Sequence, residues 1–238
     1  MTKKRFATMA TCIALVGAVA VGGTLALLSS QTKELTNTFT VGDNYLANDF
    51  ILKEYKVTQQ GNGDYANTSS ETTSGVSYDN VVADSDLDKS PWFELVDSNP
   101  EDGKTPPRSW IVAKVNNIEA LTTAKLNITN VDEGWRLVTA TKAGDAWTYQ
   151  LDSDALAAAD FKADTAETKY YFVYMTQLTA GEKTNPLFTK LHAADIADTL
   201  NTSVDVKGVA VQAVTADSNL TQQDVLNDVM AAAASKLG

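Results

Sequence analysis

From residue 35 onward the chain keeps returning to short β-prone runs separated by turn residues, and this rhythm constrains the fold more than any other feature. Residues 169–178, with Tyr170, Tyr171, Phe172, Val173, Tyr174 and Met175, are almost continuously apolar or aromatic. That is the composition of a strand covered on both faces. Residues 135–141 and 146–151 are β-prone and flank Lys142-Ala143-Gly144-Asp145, a Gly-Asp turn that predicts a hairpin. Residues 50–57, 110–115 and 126–131 add further strands. Residues 35–41 alternate, with Leu35, Phe39 and Val41 on one face and Thr36, Thr38 and Thr40 on the other. Threonine suits a pleated, half-wet surface because its β-branch is at ease in extended backbone.

Three further stretches carry specific expectations. Residues 202–214 alternate through Val204 and Val206, then resume one residue out of phase as Val209, Val211 and Ala213. A glycine at the slip, Gly208, predicts a β-bulge. Residues 58–77 are polar and rich in Gly, Asn and Ser, which predicts a long loop or insertion. Residues 153–163 are Ala-rich behind a capping Asp152 or Ser153, which predicts a helix. A second helix is predicted over 221–237, where Thr221 and Asp224 form a capping-box-like pair. Val225, Val229, Met230, Ala233 and Leu237 give it an apolar stripe for packing on the strands. The whole reads as all-β: a two-sheet jelly-roll or immunoglobulin-like sandwich with a few peripheral helices. Residues 27–238 read as one domain.

The first residues have a different character. Lys3, Lys4 and Arg5 form a basic start, residues 6–32 carry no charge, and an apolar block spans 13–21. Small residues follow, with Thr24 and Ala26 at the −3 and −1 positions of a cleavage site. This is the layout of an export signal, 1–26. The alternative is a retained membrane anchor, since about 20 apolar residues cross a bilayer. Threonines, glycines and serines dilute the run, which favours removal. Membrane contact is then expected only through an uncleaved leader.

The only cysteine, Cys12, lies in that leader, so the exported body forms no disulfide and stands on packing and hydrogen bonds. The net charge is −11, and the leader removes three basic residues and no acidic ones. An acidic body lacks the clustered Lys and Arg that phosphate contacts need, which argues against nucleic acid as a partner. Self-repulsion also implies that any self-assembly depends on salt or divalent cations.

Catalytic motifs are not found. His192 is the only histidine, so the His-Glu-x-x-His arrangement that sets two zinc ligands on one helical face is lacking, and no Gly-x-Ser-x-Gly nucleophile turn occurs. No enzyme activity and no obligatory cofactor are expected. Asp84, Asp86 and Asp88 alternate like the opening of a calcium loop, where oxygens two apart wrap the ion. Lys89 stands where that loop needs glycine, and Leu95 where it needs glutamate. The trio reads as a solvated acidic loop or a loose calcium site. Trp92, Trp110, Trp135 and Trp147 sit near strand ends, as core corners or as a carbohydrate platform.

The leader junction, Gly22-Gly23-Thr24-Leu25-Ala26 followed by Thr36-Asn37-Thr38-Phe39-Thr40-Val41-Gly42, resembles exported proteins cut by the SipW-type signal peptidase. Tyr78 to Pro91, Ser109 to Val115, the hairpin Leu178-Thr-Ala-Gly-Glu-Lys-Thr-Asn-Pro-Leu-Phe188 and Val209 to Ala213 are similar to the TasA/camelysin-like family. Ala83-Asp84 replaces a Pro-Gly often found there. The resemblance implies a bacterial, jelly-roll-like secreted protein of the cell surface or extracellular biofilm matrix. It further implies homopolymeric fibres in which the mature N-terminal segment, with Leu35, Phe39 and Val41, is exchanged as a strand into the next copy. Some members are labelled metalloproteases, but the residues for that are missing here. A monomeric cell-surface adhesin or glycan-binding module is the alternative.

Overall fold

The computed structural model describes residues 49–98, 101, 105–195, 202–213 and 218–238. Thr24, Ala26 and the segment carrying Leu35, Phe39 and Val41 lie outside the described residues. The fold is a mostly β sandwich of two sheets packed face to face. One sheet has the order β10-β4-β1-β2-β3-β11-β6 and the other β12-β5-β9-β7-β8. The first contains β1 (Phe50–Gln59), β2 (Tyr65–Thr72), β3 (Ser85–Asp88), β4 (Trp92–Leu95), β6 (Leu126–Val131), β10 (Glu182–Lys183) and β11 (Phe188–Ala193). The second contains β5 (Ser109–Asn116), β7 (Trp135–Ala143), β8 (Ala146–Leu151), β9 (Thr168–Tyr174) and β12 (Asp205–Gln212). Helix α1 (Ile118–Thr123) precedes β6, and α2 (Gln223–Leu237) follows β12.

The inner faces of the two sheets bury Phe50, Leu52, Phe93, Ile111, Trp135, Phe172 and Phe188 among others. The five-stranded sheet has a second covered face. Trp110, Val112, Tyr171, Val173 and Val209 pack there on Leu226, Val229, Met230, Ala233 and Leu237 of α2. Burial on both faces explains why β5 and β9 read as continuous apolar runs. It also places Lys114 in the helix-facing layer, where it pairs with Asp164 at 2.7 Å and donates to the Gly238 carbonyl.

Three expectations are corrected. The polar stretch 58–77 is not a loop: β1 continues to Gln59, turns through Gly63 at φ +94°, and returns as β2 in antiparallel register. After Tyr65, which is buried, β2 leaves the core, so its Ser and Thr residues meet water and hide the strand pattern. The Ala-rich stretch 153–163 is not a helix beyond one 3-10 turn at Ala158–Asp160. Leu156 and Phe161 instead plug the inter-sheet core, with Phe161 stacked on Phe172 at 4.6 Å and edge-on to Phe188 at 5.7 Å. An extended path delivers both side chains inward, and this outweighs alanine's helical preference.

Gly208 is no bulge. β12 pairs with β5 in unbroken register from Asp205↔Asn116 to Gln212↔Ser109. Val206 and Ala210 face the inter-sheet core, and Val209 and Ala213 the helix side. The apparent slip is the onset of burial on both faces. Glycine is required for another reason: a Cβ at 208 would lie 2.1 Å from Cε1 of Phe93.

One junction in the larger sheet is thin. β2 and β3 share a single parallel bridge, Tyr65↔Leu87. Side chains supplement it: the Asn67 amide donates to the Asp88 carboxylate (3.0 Å), and the Asp86 amide to the Asp64 carboxylate (2.8 Å).

Candidate functional site: strand edges and an acidic cluster

Every open sheet ends in strands with peptide groups on one side left for another partner. Among the described residues the terminal strands are β10 and β6 in one sheet and β12 and β8 in the other. They differ in what meets that side. β10 has only two residues. At β8, the Tyr149 carbonyl accepts a 2.9 Å hydrogen bond from the Gln223 side chain of α2. At β6, helix α1 and the 3-10 turn border the edge, enclosing a pocket of about 190 Å³ lined by Ile118, Leu121, Ile128 and Phe161.

β12 is the longest of the four, at eight residues. The Ala213 amide donates to the Arg108 carbonyl at 2.8 Å and so belongs to a hydrogen-bonded pair. Antiparallel ladders alternate bonded and non-bonded pairs. With the register unbroken, Asp205, Lys207, Val209 and Val211 turn their peptide groups to β5. Val206, Gly208, Ala210 and Gln212 therefore turn theirs the opposite way. This margin runs about 27 Å, at about 3.4 Å per residue.

The aspartate trio lies on the outer face of the larger sheet. Asp84 is exposed with φ +63°, and Asp86 and Asp88 occupy β3. Asp86 stands opposite His192 in the β3–β11 register. Its carboxylate shares a 2.9 Å hydrogen bond with His192 Nδ1 and accepts one of 3.0 Å from Lys190 Nζ. His192 Nε2 lies 3.6 Å from Asp84. Asp88 is engaged by the Asn67 amide. The three carboxylates thus face partners within the protein. Among the described residues no group of three or more His, Cys, Asp or Glu side chains is placed to hold a metal ion. His192 and Lys190 were missed as partners of Asp86 because linear spacing carries no sign of a contact 106 residues long.

The hydrogen bond to His192, then that to Lys190, holds the Asp86 carboxyl below its ordinary value of 3.8. A carboxyl lowered in the folded state contributes stability above its unfolded value, and this drains away as pH falls through the folded one. Asp86→Asn should therefore lower the unfolding free energy at pH 7 by about 0.2–1 kcal/mol for so exposed a pair. The gap to the parent protein should close below pH 4. Urea titrations from pH 7 to 2 would check it, and a gap that widened in acid would contradict the assignment.

Trp92, Trp110 and Trp135 are buried at 2%, 3% and 0% exposure, so they are core residues and no platform. Trp147 is half-buried, with the Lys169 ammonium 5.3 Å from its ring centre. Among the described residues no helix is long and apolar enough to cross a membrane. Comparison with known proteins found no matching family model, no similar curated protein and no similar solved structure.

Proposed function

We propose that this chain is an exported, non-catalytic structural protein whose copies join into extracellular fibres by adding a strand to the margin of β12. The observation that carries this reading is that margin, where Val206, Gly208, Ala210 and Gln212 turn their peptide groups away from β5, the first three buried and Gln212 exposed. An added strand takes main-chain hydrogen bonds from such an edge and sets alternate side chains into its pockets. The alternating segment 35–41, with Leu35, Phe39 and Val41 on one face, is the donor of matching pattern. The net charge of −11 opposes association, so assembly is expected to rise with ionic strength or calcium. A cleaving peptidase of the SipW type is the expected processing partner.

Three proteins test it: residues 27–238, residues 42–238, which lack the whole 35–41 donor, and 27–238 carrying Gln212→Pro. Gln212 is exposed and its amide faces outward, so proline removes a donor for an incoming strand without breaking a bond to β5. The first protein should sediment as polymer and form filaments by electron microscopy, and the other two should stay monomeric. A monomeric 27–238 across salt and calcium would overturn the reading. Filaments of undiminished length from Gln212→Pro would overturn β12 as the acceptor. The second reading, a monomeric adhesin or glycan-binding module, rests on Trp147, the tryptophan that keeps access to solvent. It predicts saturable glycan binding that Trp147→Ala abolishes.

A further inference from the structure

Glu54 and Lys89 form a buried pair in a place where an ion pair is poorly provided for. Glu54 points inward from β1, on the face that carries Phe50 and Leu52. Lys89 directly follows β3. The ammonium Nζ lies 2.7 Å from Oε2, and the two side chains are 5% and 0% exposed. Oε1 is buried and has no hydrogen-bond partner among the described residues. Glu54 is likewise the one acceptor that the Lys89 ammonium meets there. Removing two such charges from water costs more than their attraction returns unless the remaining atoms also find partners. Tyr78 stands beside them, its hydroxyl donating to the Asp88 carbonyl at 2.6 Å. Burial first, and the Glu54 charge next, hold that phenol well above its ordinary value, so it stays neutral.

We propose that Glu54 and Lys89 condense into an intramolecular amide, a covalent staple between β1 and the segment after β3. The proton on Nζ that already points at Oε2 passes to it, leaving an amine and a carboxylic acid in contact. The nitrogen lone pair attacks Cδ, the Cδ–Oε2 bond breaks, and Oε2 leaves as water with that proton and a second one from nitrogen. Oε1 remains as the amide oxygen and Nζ keeps one hydrogen. No oxidant or co-reactant enters. The fold supplies what the reaction needs: fixed contact between nucleophile and carbonyl carbon, and exclusion of the water that would reverse it. Two unsatisfied charges become one neutral group. The staple also spans the thin β2–β3 junction, in a chain whose only cysteine is Cys12. It does not depend on the fibre reading.

Peptide mapping of the denatured full-length protein tests it. Trypsin should leave Glu54-Tyr55-Lys56 joined to the peptide of residues 57–104, uncut after Lys89 and lighter than the sum by one water. Lys89→Arg keeps the charge but should abolish the joined species and lower the melting temperature. If that variant does not fold, the parent map decides alone. A folded parent protein that yields free 54–56 peptide and complete cleavage after Lys89 would overturn the proposal.

Discussion

Trp135→Ala is expected to remove about 3–5 kcal/mol of stability, the upper range for truncating a buried aromatic side chain. Trp135 has 0% exposure and is the largest fully buried side chain among the described residues. Its ring meets Phe93 at 6.0 Å and Tyr174 at 5.2 Å, linking the inner faces of the two sheets. Its Nε1 donates to the Asn185 carbonyl at 3.1 Å, so alanine opens a cavity and takes away that carbonyl's donor as well. Domains of this kind hold about 5–15 kcal/mol in all, so the variant should sit near the limit of folding at 37 °C. Trp147→Ala, at a half-buried ring, should cost far less. Parallel denaturant titrations of the two variants would check the contrast, and equal losses would contradict the assignment of Trp135 to the core.

Gly208→Ala should destabilise by about 1–3 kcal/mol or more, the range for forcing an extra carbon into a filled core. The new Cβ would meet Cε1, Cζ and Cδ1 of Phe93 at 2.1, 2.6 and 2.8 Å. That ring cannot simply swing aside. It is stacked on Phe50 at 5.4 Å and tilted against Trp135, with 0% exposure. Phe93→Leu should recover part of the loss, so that the double variant is more stable than the sum of the single ones predicts. A coupling of about 0.5–3 kcal/mol is expected for residues in contact. Additivity in the double-mutant cycle would show that the glycine serves some purpose other than seating Phe93.

Much of the sandwich was legible because its central strands are covered twice. Two-sided burial writes an apolar run that nothing but a strand of this length explains, as in β5 and β9. The Gly144-Asp145 turn likewise marked the β7–β8 hairpin. The failures occurred where burial and composition part company. β2 is nearly all Ser, Thr, Asn and Glu because a single residue, Tyr65, reaches the core. Residues 153–163 carry the alanines of a helix, yet Leu156 and Phe161 decide the matter by filling the gap between sheets. At Gly208 a change in what covers the strand was read as a change in backbone phase. The Asp86–His192 and Glu54–Lys89 contacts were out of reach for another reason: each joins segments whose proximity only the finished topology creates.

The single bridge between Tyr65 and Leu87 has a mechanical consequence. A polymer of such subunits bears load through its subunits, and the larger sheet would share that load unevenly. The ladders within β10-β4-β1-β2 and within β3-β11-β6 resist as sets of parallel bonds, whereas the seam between them offers one bridge and a few carboxylates. In an optical trap, a Lys89→Arg subunit, which lacks the Glu54–Lys89 staple across the seam, should first part these two halves in a short early extension, whereas the stapled parent should hold them together until either half unravels.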